Sequence, residues 1–140
     1  ILKLHYKDHS RKNKEYCISK MRELTDKIGI SIFVIFENLT NQQILSLHSF
    51  GDCYVSLNKG EGFGLTIFDA FNYGKKVITT GYGGQIDFLE TDYSGLVNYK
   101  IDKVSGMESF STNYLSDQEW AYPDLDHAYD LMENCYKDKL

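Results

Sequence analysis

Two acids and a set of glycines stand at spacings that could seat an anion. Glu61 and Asp69 are eight positions apart, Gly60, Gly62 and Gly64 surround Glu61, and Gly83 and Gly84 recur after an apolar run. Glycines admit close backbone approach, and a helix opening just beyond them presents amides that have no partner within the helix. Those amides lie at the positive end of the helix dipole, where phosphate and carboxylate groups are stabilised.

The segment 54–84 must position these residues, and its pattern reads as strand, glycine loop, helix, strand, glycine loop. Residues 54–57 are rich in β-formers, residues 65–73 resume with helical spacing, and Gly74 stops the helix. At 100° per residue, Ile67, Phe68, Ala70 and Phe71 share one face, and Thr66, Asp69 and Tyr73 the other. The helix therefore buries one side and shows the Asp69 carboxylate on the other. Residues 77–80 read as the next buried strand.

The flanking chain continues the alternation. Residues 1–6 read as a strand, 7–14 as a polar turn, and 16–28 as a helix ended by Gly29. Residues 30–36 form a continuous β-branched and aromatic run, as expected of a strand covered on both faces. Thr40 with Gln43 has capping-box spacing for a helix carried by Ile44, Leu45, Leu47 and His48. Residues 86–90 read as a short helix and 95–99 as a short strand. Residues 100–119 read as a long surface excursion. Pro123 suits entry to a last helix, with Leu125, Ala128, Tyr129, Leu131, Met132 and Cys135 on its apolar face and Trp120 as a core aromatic anchoring it. Strands alternating with helices predict an α/β fold, a doubly wound parallel sheet whose ligand site lies beyond the carboxyl ends of its strands.

At 140 residues the chain reads as one domain. A formal net charge of -5 without a basic stripe argues against a nucleic-acid partner. Cys17, Cys53 and Cys135 are odd in number and far apart, which reads as reduced thiols in a cytoplasmic protein rather than a disulfide framework. His5, His9, His48 and His127 have no convincing ligand partner. No signal-like or membrane-spanning apolar run occurs. The chain starts at Ile1, inside an expected strand, so a piece of a longer protein, truncated on its N-terminal side, is expected.

The residues Glu61-Gly-Phe-Gly-Leu, then Asp69-Ala, Gly74-Lys-Lys-Val-Ile, and Gly83-Gly84 followed by Asp87 resemble the donor-binding half of retaining glycosyltransferases of the two-Rossmann-domain fold, family 4 in the sequence classification. The resemblance covers most of the chain and is densest over residues 50–97. It implies that the whole protein transfers a sugar from a nucleotide-diphosphate donor, carrying UDP or GDP for example, to an acceptor held mainly by a missing N-terminal domain. It implies retained configuration, no obligatory metal or other cofactor, a setting such as polysaccharide biosynthesis, and compatibility with peripheral membrane association. On this resemblance Glu61 is the catalytic acid near the donor sugar. Gly62, Phe63, Gly64 and Leu65 contact sugar and phosphates through their amides, and Asp69 holds the ribose. Gly83 and Gly84 also fall in the donor site.

This chain departs from that pattern at three places. Asp69 stands where Glu is usual, one methylene longer. Thr66 stands where Pro is frequent, and its hydroxyl suits either a helix cap or a phosphate. The Arg and Lys that neutralise the diphosphate in such enzymes would precede Ile1, and Arg11, Lys12 and Lys14 read more simply as a solvated helix start. Other readings stay open. Glu61 could merely terminate a turn, and Gly83, Gly84 and Asp87 could be a tight strand-to-helix turn. The whole could also be a nucleotide- or phosphate-binding regulatory module without catalysis.

Overall fold

The computed structural model describes residues 2–3, 11–29, 32–35, 37–105 and 117–137. The chain divides into two compact units, Ile1–Thr40 and Asn41–Leu140. In the first, β1 (Leu2–Lys3) pairs in parallel with β2 (Val34–Ile35), and α1 (Arg11–Ile28) connects them. Residues 11–14, read both as the end of a polar turn and as a helix start, form the first turn of α1. Arg, Lys and Glu are good helix formers, and nothing at 11–15 breaks the backbone. The helix ends where expected, at Gly29 with φ +68°. The remainder of the first predicted strand lies outside the described residues. The strand expected over 30–36 is short where described. Phe33 is 67% exposed and Val34 and Ile35 are only half-buried, so it is not covered on both faces.

The second unit holds the glycine-rich segment. α2 (Asn41–Phe50) starts directly after Thr40 and is followed by β3 (Cys53–Ser56), α3 (Leu65–Asn72) and β4 (Lys76–Thr80). α4 (Ile86–Leu89) and β5 (Leu96–Val97) come next. The three strands form a parallel sheet in the order β3-β4-β5, with Tyr54 opposite Val77 and Thr79 opposite Leu96. The protein is thus mixed α/β with a parallel sheet in this unit.

β4 runs through the middle and is buried from Val77 to Thr80. Successive side chains point to opposite faces, and each face has its own core. Val77 packs with Ile67 and Ala70 of α3 and Leu89 of α4, while Ile78 packs with Val97 and with Ala128 and Leu131 of α5 (Leu125–Tyr136). Helices thereby cover both faces of β4. Full burial of Ile67, Val77, Ile78 and Val97 contributes about 1.5–3 kcal/mol each, which fixes α3 against the sheet and with it the loop that precedes it. At the other end of α3, Gly74 takes φ +68° and the chain reverses into β4.

Two expectations are corrected here. Part of the segment read as a surface excursion is an antiparallel hairpin, β6 (Tyr99–Lys103) against β7 (Glu119–Pro123), with Ile101 opposite Ala121. In β6 only Tyr99 and Ile101 alternate with charged residues, and both are exposed, so the pattern is too short to mark a strand against a core. Pro123 ends β7 rather than opening a helix. Asp124 caps α5 instead, its Oδ1 accepting from the amides of Asp126 and His127 at 3.1 Å each. Of the face expected for α5, Ala128 and Leu131 are buried, whereas Leu125 and Tyr129 are more than 60% exposed.

Candidate functional site

Both glycine turns lie just past the carboxyl ends of adjacent parallel strands. Residues 57–64 leave β3, and residues 81–85 leave β4, whose registers match from Cys53 with Lys76 to Ser56 with Thr79. The second turn braces the first. The Gly84 amide donates to the Glu61 carbonyl at 3.1 Å. A Cβ on Gly84 would collide with the Gly62 carbonyl, and one on Gly83, at φ +107°, would stand 2.8 Å from the Glu61 carbonyl oxygen. Only residues without a side chain permit this contact.

The first turn then opens α3. Gly64 is its N-cap with φ +82°, and no side chain caps the helix. The Gly64 carbonyl accepts from the Phe68 amide at 2.8 Å. Among the described residues, the amides of residues 62–67 donate to no backbone carbonyl. They are a run of free donors at the positive end of a helix, the arrangement that stabilises an anion.

The structure places the sequence-predicted residues around this run. Glu61, Gly62, Phe63, Leu65 and Thr66 are exposed, Gly64 is buried, and Asp69 is half-buried on α3. The Glu61 and Asp69 carboxylates form no ion pair or side-chain hydrogen bond among the described residues. Thr66 uses its hydroxyl neither as a cap nor alone: it accepts from the Tyr54 hydroxyl at 2.9 Å. The Tyr54 ring lies 5.4 Å from that of buried His48, which ties α2, β3 and the first turn of α3 together. Gly83 and Gly84 meet the loop through their backbone, so they shape the cradle from behind. Phe63 packs on Phe68 and Phe88 with ring centroids 5.4 and 5.5 Å away, anchoring the loop to α3 and α4.

Several residues near the loop escaped the sequence reading. Gln85 is fully buried, and its Nε2 donates to the carbonyls of Thr80 at 2.9 Å and Tyr82 at 2.6 Å, pinning the second turn to the end of β4. Its Oε1 is buried without a partner among the described residues. Asn58 links the turns from the other side. Its carbonyl accepts from the Thr80 hydroxyl at 2.5 Å, and its Oδ1 receives a long contact of 3.4 Å from Gln85. The only legible signal was their position, a polar pair beside the glycines at strand ends.

Trp120 is corrected as well. It stands on β7 beside the loop, its Cδ1 4.0 Å from where a Gly60 Cβ would be, and not in the core under α5. The Ala121 amide donates to the Lys59 carbonyl at 3.0 Å, so the hairpin is fastened to the loop. The Lys59 ammonium lies 4.2 Å from the Tyr122 ring centroid and 5.3 Å from that of Trp120.

Away from this end, Cys53 and Cys135, distant in sequence, pack on the same core residues. Burial, with the neighbouring Cys135 thiol, pushes the Cys53 thiol up to about 12. A concavity walled by Lys75, Lys76 and Tyr93 lies at the start of β4, the opposite end from the glycine turns. The Lys75 ammonium there donates to the Ser49 carbonyl at 3.0 Å. No group of His, Cys, Asp and Glu among the described residues could hold a metal ion, and no helix among them is long and apolar enough to cross a membrane. Comparison with protein-family models, with curated proteins and with solved structures gives no match.

Proposed function

We propose that this chain is the donor-binding portion of a retaining glycosyltransferase, a doubly wound domain that seats a nucleotide-diphosphate sugar across the start of α3. The observation that carries the reading is the run of undonated amides at residues 62–67, flanked by two unpaired acids, Glu61 and Asp69. The diphosphate takes the amides, the sugar lies towards Glu61, and a ribose hydroxyl donates to Asp69. Catalysis is electrostatic: preorganised donors stabilise the leaving diphosphate as its charge develops, without reorganisation at the moment of reaction. Glu61 is exposed on the loop and so accessible to a sugar. The acceptor would be bound by a partner domain outside this chain, so these 140 residues bind donor weakly and transfer nothing by themselves.

The test is a titration of the chain with UDP, GDP and ADP followed by ligand-observed NMR, on wild type and Asp69→Ala. A hydrogen bond to a charged group contributes about 1.5–3 kcal/mol, so the substitution should weaken binding roughly ten- to hundred-fold. Equal binding by the two proteins would remove the ribose contact. Absence of any nucleotide binding at millimolar ligand would remove the proposal.

A further inference from the structure

We infer that Cys53 and Cys135 are a redox-sensitive thiol pair, closed to a disulfide by exchange with a small disulfide such as that of glutathione. The inference is independent of the proposed nucleotide site. Distance along the sequence argued against a pairing, but the fold makes these two residues neighbours. Both belong to the second unit, and both are free, half-buried thiols.

Strand and helix each direct one of the thiols towards the other. Cys53 is the register partner of Lys76. Ile78, two residues further along β4, packs on α5, so side-chain alternation puts Cys53 on the α5 side of the sheet. On α5, Cys135 follows Leu131 by four positions and Ala128 by seven, the spacing of one helical face, and both of those residues are buried against Ile78 and Val97. Cys53 and Cys135 both pack on this cluster, and their thiols are hydrogen-bond neighbours. Bridging fails where two cysteines are too far apart or point away from each other. Neither holds for thiols already in contact between a strand and the helix packed on it.

The two residues divide the chemistry. Burial and the neighbouring thiol keep Cys53 protonated, and a protonated thiol is a poor nucleophile. Cys135, in the last turn of α5, makes the first attack. Its Sγ, as the thiolate, bonds to one sulfur of glutathione disulfide, whose own S–S bond breaks and releases one glutathione thiolate. Cys53 then gives its proton to solvent, and its Sγ attacks the Cys135 sulfur and expels the second glutathione thiolate. Two protein thiols are oxidised to one disulfide, and one small disulfide is reduced to two thiols. The product ties β3, the strand that leads into the first glycine turn, to α5.

The 140-residue chain is incubated with oxidised glutathione at pH 8, quenched with acid and mapped by non-reducing peptide mass spectrometry. A disulfide between Cys53 and Cys135 should be the main product, should form equally in the Cys17→Ser protein, and should revert with dithiothreitol. The oxidised chain should melt at least about 5 °C above the reduced one, because the bridge restricts a long loop in the unfolded state. Cys53→Ala should stop with glutathione attached to Cys135, and Cys135→Ala should leave Cys53 unmodified. The map is made on wild type, so the result does not depend on whether either variant folds. If the folded wild type forms no such disulfide, or forms it only once urea has unfolded the chain, the pair is not a redox site. A bridge that lowers the melting temperature would equally overturn the inference, since it would show that the native fold does not hold the two thiols in bonding position.

Discussion

Replacing Gly84 by alanine is the most direct probe of how the site is built. The added Cβ would occupy the space of the Gly62 carbonyl and approach the Phe63 Cα to 2.9 Å, backbone atoms that cannot rotate aside. The two turns must separate. Overpacking of this kind costs about 1–3 kcal/mol, and loss of the 3.1 Å bond from the Gly84 amide to Glu61 adds about 1 kcal/mol. For a domain of about 100 residues, each kcal/mol lowers the melting temperature by roughly 4–8 °C. A fall of about 10–30 °C is expected by circular dichroism. Two companions make the test selective. Gly62→Ala meets nothing within 4 Å and has an ordinary φ, so it should melt within about 3 °C of wild type. Gly95→Ala would collide with the Val77 carbonyl, far from the loop, and should destabilise comparably. At 10 °C, where both variants are expected to remain folded, Gly84→Ala should lose nucleotide binding by ten-fold or more while Gly95→Ala keeps it. A Gly84→Ala protein that melts and binds like wild type would show that the turns do not touch.

Two further outcomes test the frame around the site. Asp124→Ala removes the acceptor for two amides of α5 and should cost about 1 kcal/mol, seen as a melting temperature about 4–8 °C lower. Cys53, its thiol held protonated by burial, should resist iodoacetamide at pH 8 in the native protein and react once urea unfolds it. Because the folded state keeps that proton up to about 12 and the unfolded chain releases it earlier, stability should fall as pH rises above the ordinary thiol range. The Cys53→Ala protein should show a shallower loss over the same pH interval.

The sequence made the centre of the fold legible and left its surroundings obscure, for physical reasons. Residues 65–80 combine a helical apolar face with a buried run bounded by glycines, and α3 and β4 fall where that pattern puts them. Local periodicity suffices when one element packs directly on the next. β6 was missed because its alternation, Tyr99 and Ile101 against Lys100 and Asp102, is only two apolar residues long and exposed, and its pairing with β7 is a backbone matter. Phe33 misled because an apolar type does not by itself secure a covering partner. Around the candidate site, the positions of Glu61, Asp69 and the open amides followed from spacing along one loop and one helix. The contacts of Gly84 with Gly62, of Gln85 with Asn58, and of Lys59 with Tyr122 join distant segments. Side chains that satisfy such long-range contacts carry no periodic mark.

The mesh between the two turns also restricts how this chain can vary. Where Gly83 and Gly84 rest directly on the peptide planes of residues 61–63, one inserted residue in either segment would slide the planes out of step. Such an insertion should be tolerated only with a compensating change in the other segment. Laboratory selection from randomised loop-length libraries would then recover matched pairs, and lengthening at this end of the sheet would be inherited jointly or not at all.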